Sequence, residues 1–143
     1  MRNLLATLLV ASFLLACGGP GASSVPSVPT VDATGSWTLV RGTDGGVAIR
    51  IVADHPITLT VDGGKVSGRA ACNTYGGDVV VADGQLRFSP MSMTEMACDE
   101  PSMAAEAAYV AALGKVRGAS RDGNRLTLTG TGVELTFDRL PPS

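Results

Sequence analysis

Short segments in which apolar residues alternate with threonine constrain the fold of this 143-residue chain more than any other feature. The alternation is clearest at residues 57–61, 126–128 and 135–137, where every second residue is apolar. Successive side chains of an extended strand point to opposite faces of a sheet, so this pattern predicts strands with one buried and one exposed face. Trp37 and Leu39 flank Thr38 in the same way, and shorter candidate strands lie at residues 66–70, 78–81 and 86–88.

Four Asp-Gly pairs separate these segments: Asp44-Gly45, Asp62-Gly63, Asp83-Gly84 and Asp122-Gly123. Asp-Gly favours the positive φ angles that tight hairpins need. Residues 101–116 differ, because they are alanine-rich, begin with Pro101 and predict one helix that turns Tyr109, Leu113 and Val116 toward the sheet. We therefore expect a mainly β fold, a small curled antiparallel sheet or barrel of seven or eight strands with one late helix.

The first seventeen residues have the pattern of a bacterial lipoprotein leader. Arg2 supplies one positive charge, and residues 4–15 are apolar apart from two interruptions. This run is too short for a permanent membrane span, which takes about 20 residues. Leu14 and Ala16 before Cys17 resemble the lipobox, which implies that a diacylglyceryl group is attached to Cys17 and that the chain is cleaved before it. An ordinary secretory peptide with a chance cysteine is the alternative.

These features divide the chain into three parts. We expect a signal peptide at residues 1–16, a flexible lipid-anchored tether at 17–33 and one folded domain at 34–140. Cleavage removes Arg2 and leaves ten basic and thirteen acidic residues, a net charge of −3. Such a chain lacks the basic surface that nucleic acid or anionic lipid attracts.

The lipid on Cys17 is therefore the expected membrane contact. We expect a monomer in the cell envelope, at the outer membrane of a cell with two membranes and otherwise at the outer face of the cell membrane. The sequence identifies neither a protein partner nor a small ligand.

Motifs that carry chemistry are scarce in this sequence. The single histidine, His55, precedes Pro56, and neither Gly-x-Ser-x-Gly nor Ser-x-x-Lys occurs. Spacings typical of zinc or calcium sites are missing too. We therefore predict no catalytic residue, metal site or cofactor. Four methionines are interpreted as core residues, with Cu(I) binding as the alternative: Met91, Met93, Met96 and Met103.

Cys72 and Cys98 remain after processing. An even pair in an exported domain predicts a disulfide, and a loop of this length gives a stabilisation of about 3.5 kcal/mol. A reactive thiol or a metal ligand is the alternative.

Residues 68–77, Gly-Arg-Ala-Ala-Cys-Asn-Thr-Tyr-Gly-Gly, and 93–101, Met-Thr-Glu-Met-Ala-Cys-Asp-Glu-Pro, carry a family pattern. With Gly35-Ser36-Trp37 and residues 126–129, they resemble the META domain, the family of the heat-shock lipoprotein HslJ. The resemblance covers nearly all of residues 34–139. It implies a lipocalin-like barrel with a helix, and it supplies no catalytic residues. The family motif residues are interpreted as structural: Asn73, Tyr75, Gly76, Thr94 and Met96.

The motifs lead to local expectations. Asn73 and Gly76-Gly77 suit a turn, and Tyr75 is expected beside the bridge with its hydroxyl outward. Ala71 stands where the family commonly has glycine, so the turn before Cys72 is expected to differ slightly.

The resemblance implies a non-enzymatic lipoprotein in envelope maintenance or in stress and antibiotic tolerance. The alternative is a module in the periplasm or at the cell surface that binds a small apolar ligand or a partner protein. An open apolar cavity would favour the binding module, whereas a core filled by side chains would favour the first role.

Overall fold

The computed structural model describes residues 32–141. The predicted signal peptide, Cys17 and all but the end of the predicted tether lie outside the described residues. Ala33 is buried, and its carbonyl oxygen accepts a hydrogen bond of 2.9 Å from Trp37 Nε1. The core of the barrel therefore includes a residue that precedes the first strand.

Within the described residues, ten strands and one helix follow one another along the chain. They are β1 (Gly35–Asp44), β2 (Val47–Ala48), β3 (Thr58–Asp62), β4 (Lys65–Arg69), β5 (Thr74–Ala82), β6 (Gln85–Phe88), β7 (Ser92–Met93), α1 (Glu100–Gly114), β8 (Val116–Asp122), β9 (Arg125–Gly130) and β10 (Val133–Arg139).

The strands form one antiparallel sheet in the order β6-β5-β4-β3-β1-β10-β9-β8. The two-residue strands β2 and β7 pair with β1 and β5, outside this path. The outermost strands β6 and β8 pack beside each other without backbone pairing, so the sheet curls into a nearly closed barrel. The prediction of a mainly β barrel with one late helix is confirmed, and the principal path has eight strands.

The hairpin turns use glycine at positive φ, as the Asp-Gly pairs suggested, but the aspartate usually ends the strand. Gly45-Gly46 and Gly63-Gly64 occupy two turns with φ between +53° and +81°. Only at Asp83-Gly84 does the aspartate itself take a positive φ, of +53°. The second glycine supplies the second positive angle wherever it is present, which spares aspartate the left-handed conformation.

Large side chains on the inner face fill the barrel. Trp37 is fully buried, and the guanidinium carbons of Arg121 and Arg139 lie 5.5 and 5.4 Å from its ring, so two cations cover the indole at one end of the core. The largest fully buried side chains are Trp37, Tyr109, Phe137, Leu39, Leu59, Leu86, Leu113, Leu126, Leu128, Leu135, Val66 and Val116.

Helix α1 ends two residues earlier than the sequence predicted. Val116 is buried, as expected, but it opens strand β8 rather than closing the helix. Polar and small residues follow Val116, so β8 lacks the alternation that marks the other strands. The buried helix face consists of Ser102, Ala105, Glu106, Tyr109, Ala112 and Leu113. No helix between residues 32 and 141 is both long and apolar enough to cross a membrane.

The alternation of strand directions gives the barrel two distinct ends. We call one the terminal end, because the described chain begins and finishes there; it carries the β3–β4, β5–β6 and β8–β9 turns. The other is the helix end, which carries α1, the β1–β2 hairpin and the β4–β5 connection. Lys115 fastens α1 there by donating hydrogen bonds of 2.8 and 2.6 Å to the Asp44 carboxylate at the end of β1.

Candidate functional site

Three polar side chains meet between the β4–β5 connection and the helix, at the helix end. They are Asn73, Thr94 and Glu106, and with the main chain of Met96 we call them the motif cluster. Asn73 and Glu106 are only 3% and 8% exposed. Buried polar groups of this kind need hydrogen-bond partners to offset the loss of water.

Glu106 reaches from the middle of α1 to the main chain and side chain of Asn73. Its Oε2 accepts a hydrogen bond of 2.6 Å from the Asn73 backbone nitrogen, and its Oε1 accepts one of 2.9 Å from Asn73 Nδ2. Both bonds are assisted by the carboxylate charge and are therefore stronger than bonds between neutral groups. They tie the helix to the β4–β5 connection.

Asn73 also holds the segment that leads into the helix. Its Oδ1 accepts hydrogen bonds from Thr94 Oγ1 at 2.9 Å and from the Met96 nitrogen at 2.7 Å. Its Nδ2 donates a second bond of 3.2 Å to the Met96 carbonyl oxygen. The amide thus uses both donor hydrogens and both acceptor positions, which leaves it no free capacity for a ligand.

A disulfide between Cys72 and Cys98 closes the same region, as the sequence predicted. The two Cα atoms are 5.9 Å apart, inside the limit of about 7 Å for a bridge. The bridge joins the residue before Asn73 to the residue before Asp99, the N-cap of α1. Bridged sulfurs are neither nucleophiles nor metal ligands. Nowhere in residues 32–141 do three or more His, Cys, Asp or Glu side chains cluster as they would around a metal ion.

The turn before the bridge keeps a left-handed residue even though it is alanine. Ala71 has φ +73° and is completely buried. We expected alanine to alter this turn, because a left-handed alanine costs about 1–2 kcal/mol relative to the right-handed form. The disulfide and the hydrogen bonds of Asn73 on its C-terminal side hold the chain in that conformation.

Tyr75 points into the barrel, so the expectation of an outward hydroxyl is wrong. Its hydroxyl donates to the Thr58 carbonyl oxygen at 2.9 Å and accepts a hydrogen bond of 2.7 Å from the Tyr109 hydroxyl. Burial raises the pKa of both tyrosines above the usual value. Gly68 makes room for this pair: a Cβ there would lie 2.1 Å from the Thr58 oxygen and 2.9 Å from the Tyr75 hydroxyl.

Gly76 and Gly77 lie inside strand β5 and not in a turn, which corrects that expectation. Gly76 pairs with Ser92 of β7, whose hydroxyl donates a hydrogen bond of 3.2 Å to the Gly76 carbonyl oxygen. A Cβ on Gly77 would lie 3.2 Å from Met91 Cγ, so glycine lets the segment between β6 and β7 approach the strand. The turn itself is made by residues 70–73.

The methionines divide between core and surface. Met91 and Met93 pack against the core, in agreement with their interpretation as core residues. Met96 and Met103 do not, because their exposed fractions are 52% and 39%. Residues 94–99 run over the outside of the helix end, so that Met96 contributes only its main chain to the motif cluster.

His55 lies in the connection between β2 and β3. Its Nε2 is 4.0 Å from Asp99 Oδ1 at the start of α1, and both side chains are partly exposed. Neither belongs to the motif cluster, and because Cys72 and Cys98 are bridged, neither cysteine offers a free thiol for His55 to activate.

The pairing of Asn73 with Glu106 was not predicted from the sequence. One signal pointed to it: Glu106 lies at helical spacing with Ser102 and Tyr109, on the face that faces the barrel. A lone acid on an otherwise apolar helix face requires a buried partner, but the sequence does not say which of the distant polar residues supplies it.

The family model of the META domain matches residues 30–141, which include both cysteine motifs and all strands of the barrel. The chain belongs to the META domain family. The motif cluster is thus built from the two segments that carry the family pattern, with Glu106 added from the helix between the second segment and β8. No curated protein matches this META-domain chain.

Solved structures share the fold. An NMR structure of a protein from Burkholderia xenovorans is 28% identical, covers 99% of this chain and 100% of its own, and has a TM-score of 0.66. A second NMR structure is 19% identical, with 73% of this chain and 88% of that one covered and a TM-score of 0.55. A crystal structure of a DUF4847 family protein from Bacteroides vulgatus is 13% identical, with 78% and 96% covered and a TM-score of 0.54.

Proposed function

We propose that this META-domain protein is a lipid-anchored component of the bacterial envelope that acts without catalysis, in envelope maintenance or in stress and antibiotic tolerance. One observation carries the proposal: the polar residues of the family motif are consumed in holding the helix end of the barrel together. Asn73 has all four hydrogen-bonding positions occupied by Thr94, Met96 and Glu106.

The location of these residues also supports a role without catalysis. A general acid or base has to come within hydrogen-bond reach of a substrate. Asn73 and Glu106 are buried against each other, and Cys72 and Cys98 are bridged. The motif residues therefore stabilise the fold, and we expect the domain to act through contacts made by its surface.

The anchor is supported by the leader sequence. The positive start, the short apolar run and the Leu-x-Ala-Cys ending at Cys17 are the parts of a lipoprotein signal. Acyl chains on Cys17 would hold the domain at the outer membrane, or at the outer face of a single cell membrane.

A module that binds a partner protein is the second candidate. The interior is filled by side chains such as Trp37 and Phe137, which favours a surface contact over a small apolar ligand held inside. Exposed apolar residues, among them Met96 and Met103 at the helix end, would suit such a contact.

A deletion strain tests the proposal. We expect it to become sensitive to heat or to antibiotics that must cross the envelope, and wild-type protein to restore growth. Cys17→Ala should fail to restore growth, and mass spectrometry should find acyl chains on Cys17 of the wild type and none on the variant.

Full complementation by an unanchored Cys17→Ala variant would contradict the role of the anchor. Growth of the deletion strain identical to wild type under every envelope stress would contradict the maintenance role.

A further inference from the structure

We propose that the barrel rests on the bilayer by its terminal end, with the β5–β6 hairpin in contact with the lipid, so that the motif cluster faces away from the membrane. This inference rests on the proposed function, because it needs a lipid on Cys17. It concerns a surface that the motif cluster does not use.

The chain approaches the barrel at the terminal end and is held there. Asp32 accepts a hydrogen bond of 3.0 Å from the Thr34 nitrogen and one of 3.2 Å from Arg121 Nη1 near the β8–β9 turn. Ala33 is buried and accepts the indole hydrogen bond of Trp37. Asp32 and Ala33, the last two residues of the predicted tether, are thus held beside the turns at the terminal end.

The distance to the anchor is limited. Asp32 lies fifteen positions after Cys17, and a chain of that length spans no more than about 50 Å even when fully extended. This limit keeps the domain close to the surface without selecting which end faces it. A further contact between the barrel and the bilayer is needed to select the orientation. A weak contact is sufficient, because the lipid anchor already holds the domain at the membrane and makes this second contact intramolecular.

The β5–β6 hairpin offers that contact. At the terminal end, the pairing of β4 with β5 finishes at Lys65 and Asp78, whereas β5 continues to Ala82. The β5–β6 hairpin therefore extends beyond β4 at this end. Val80 and Val81 there are 48% and 59% exposed. Adjacent strand residues point to opposite faces, so both faces of the hairpin present an apolar side chain.

Charge permits this contact. Among residues 79–88 only Asp83 and Arg87 are charged, so the hairpin has no net charge and is not repelled by anionic headgroups. Leu140 at the end of β10 adds an exposed apolar side chain to the same end of the barrel. The occupant of this surface is therefore the bilayer that holds the lipid of Cys17.

Two tryptophan variants test the orientation in the full chain, purified from a bacterial host with its anchor. Val81→Trp places the probe on the hairpin, and Met96→Trp places it at a similarly exposed position at the helix end. Each is reconstituted in phosphatidylethanolamine–phosphatidylglycerol vesicles that contain brominated acyl chains, and the wild-type signal of the single native tryptophan, Trp37, is subtracted.

We expect fluorescence quenching to be at least about twofold stronger for Val81→Trp, since an apolar surface held at the membrane sinks about 5–10 Å into the headgroup boundary. Adding Val80→Asp to Val81→Trp should abolish the difference, with an unchanged circular dichroism spectrum showing that the barrel stays folded. Equal quenching of the two single variants, or stronger quenching of Met96→Trp, would overturn the proposal.

A separate arm distinguishes this inference from the proposed function. If mass spectrometry finds no acyl chain on Cys17, the proposed anchor is wrong. The orientation is then tested on a chain that begins at Cys17, coupled through its thiol to a maleimide lipid in the same vesicles. The same comparison of Val81→Trp with Met96→Trp then supports or overturns the docking geometry by itself.

Discussion

At the scale of single residues, Glu106 and Asn73 form the two hydrogen bonds that join α1 to the β4–β5 connection. A carboxylate that is 8% exposed would be costly to bury alone, yet it accepts two hydrogen bonds from one asparagine. The orientation of donors and acceptors is therefore specific, because each amide hydrogen faces an oxygen. Exchanging the amide and the carboxylate between the two positions is a direct test of this complementarity.

We predict that Asn73→Asp destabilises the protein by about 2–4 kcal/mol, because it sets two carboxylates against each other and loses the bond to the Met96 carbonyl oxygen. Adding Glu106→Gln to Asn73→Asp should restore part of this loss, since the glutamine amide can donate to the new carboxylate. Urea denaturation at neutral pH measures both free energies of unfolding.

Glu134→Gln serves as the matched control. Glu134 forms an exposed ion pair with Arg41, and exposed pairs contribute no more than about 1 kcal/mol. A double variant no more stable than Asn73→Asp alone would show that the pair does not depend on complementary hydrogen bonding.

At the level of elements, the helix is attached to the barrel at both of its ends. The Cys72–Cys98 bridge and the Asn73 contacts hold its start, and the ion pair of Lys115 with Asp44 holds its finish. The buried side chains of the N-terminal half are small or polar (Ser102, Ala105 and Glu106), whereas the C-terminal half buries the large side chains of Tyr109 and Leu113. The covalent bridge should therefore matter most for the first turns of α1.

We predict that replacing both cysteines, as Cys72→Ala with Cys98→Ala, lowers the free energy of unfolding by about 3.5 kcal/mol, because the unfolded chain regains the freedom of a loop that spans 26 residues. Urea denaturation checks the magnitude, and hydrogen exchange should show the largest loss of protection in residues 94–106.

Wild-type protein treated with a reductant should behave like this double variant. Unchanged stability and uniform exchange would contradict the view that the bridge holds the helix start.

At the scale of the whole molecule, the barrel has one continuous apolar core that also encloses the two tyrosines of the chain. Tyr75 and Tyr109 share a hydrogen bond inside it. Burial disfavours their charged forms and raises both pKa values. The folded state therefore binds these protons more tightly than the unfolded state does, which links the stability of the barrel to alkaline pH.

We predict that stability is fully present below the unfolded tyrosine pKa of about 10 and falls as the pH rises above it, by up to about 1.4 kcal/mol per pH unit for each tyrosine. The tyrosinate absorbance should appear together with unfolding and not before it. Tyr109→Phe should make the alkaline loss less steep, with unfolding followed by the fluorescence of Trp37.

Tyrosinate absorbance that grows at pH 10 while the Trp37 fluorescence remains native would contradict this prediction. Phe88→Tyr, which adds a half-buried phenol, is the control for a tyrosine outside the hydrogen-bonded pair.

The sequence predicted those parts of the fold that local patterns indicate, that is, patterns formed by residues only a few positions apart. Alternation marked β3, β9 and β10, Asp-Gly pairs marked the hairpins, and Pro101 marked the helix start. β8 was missed because its side chains are mostly polar and lie at an edge of the barrel. The exposure of Met96 and the inward hydroxyl of Tyr75 depend on neighbours far along the chain, which no local pattern contains.

The sequence alone therefore determined a mainly β domain with a late helix, a cysteine pair able to form a bridge and the META family, and it predicts a leader that ends at Cys17. Only the tertiary structure decided that Glu106 is the partner of Asn73, that Tyr75 pairs with Tyr109, and that the two ends of the barrel differ. The physical reason is distance along the chain. Periodicity and turn preferences act within a few residues, whereas Asn73 and Glu106 meet across 33 residues once the sheet has curled.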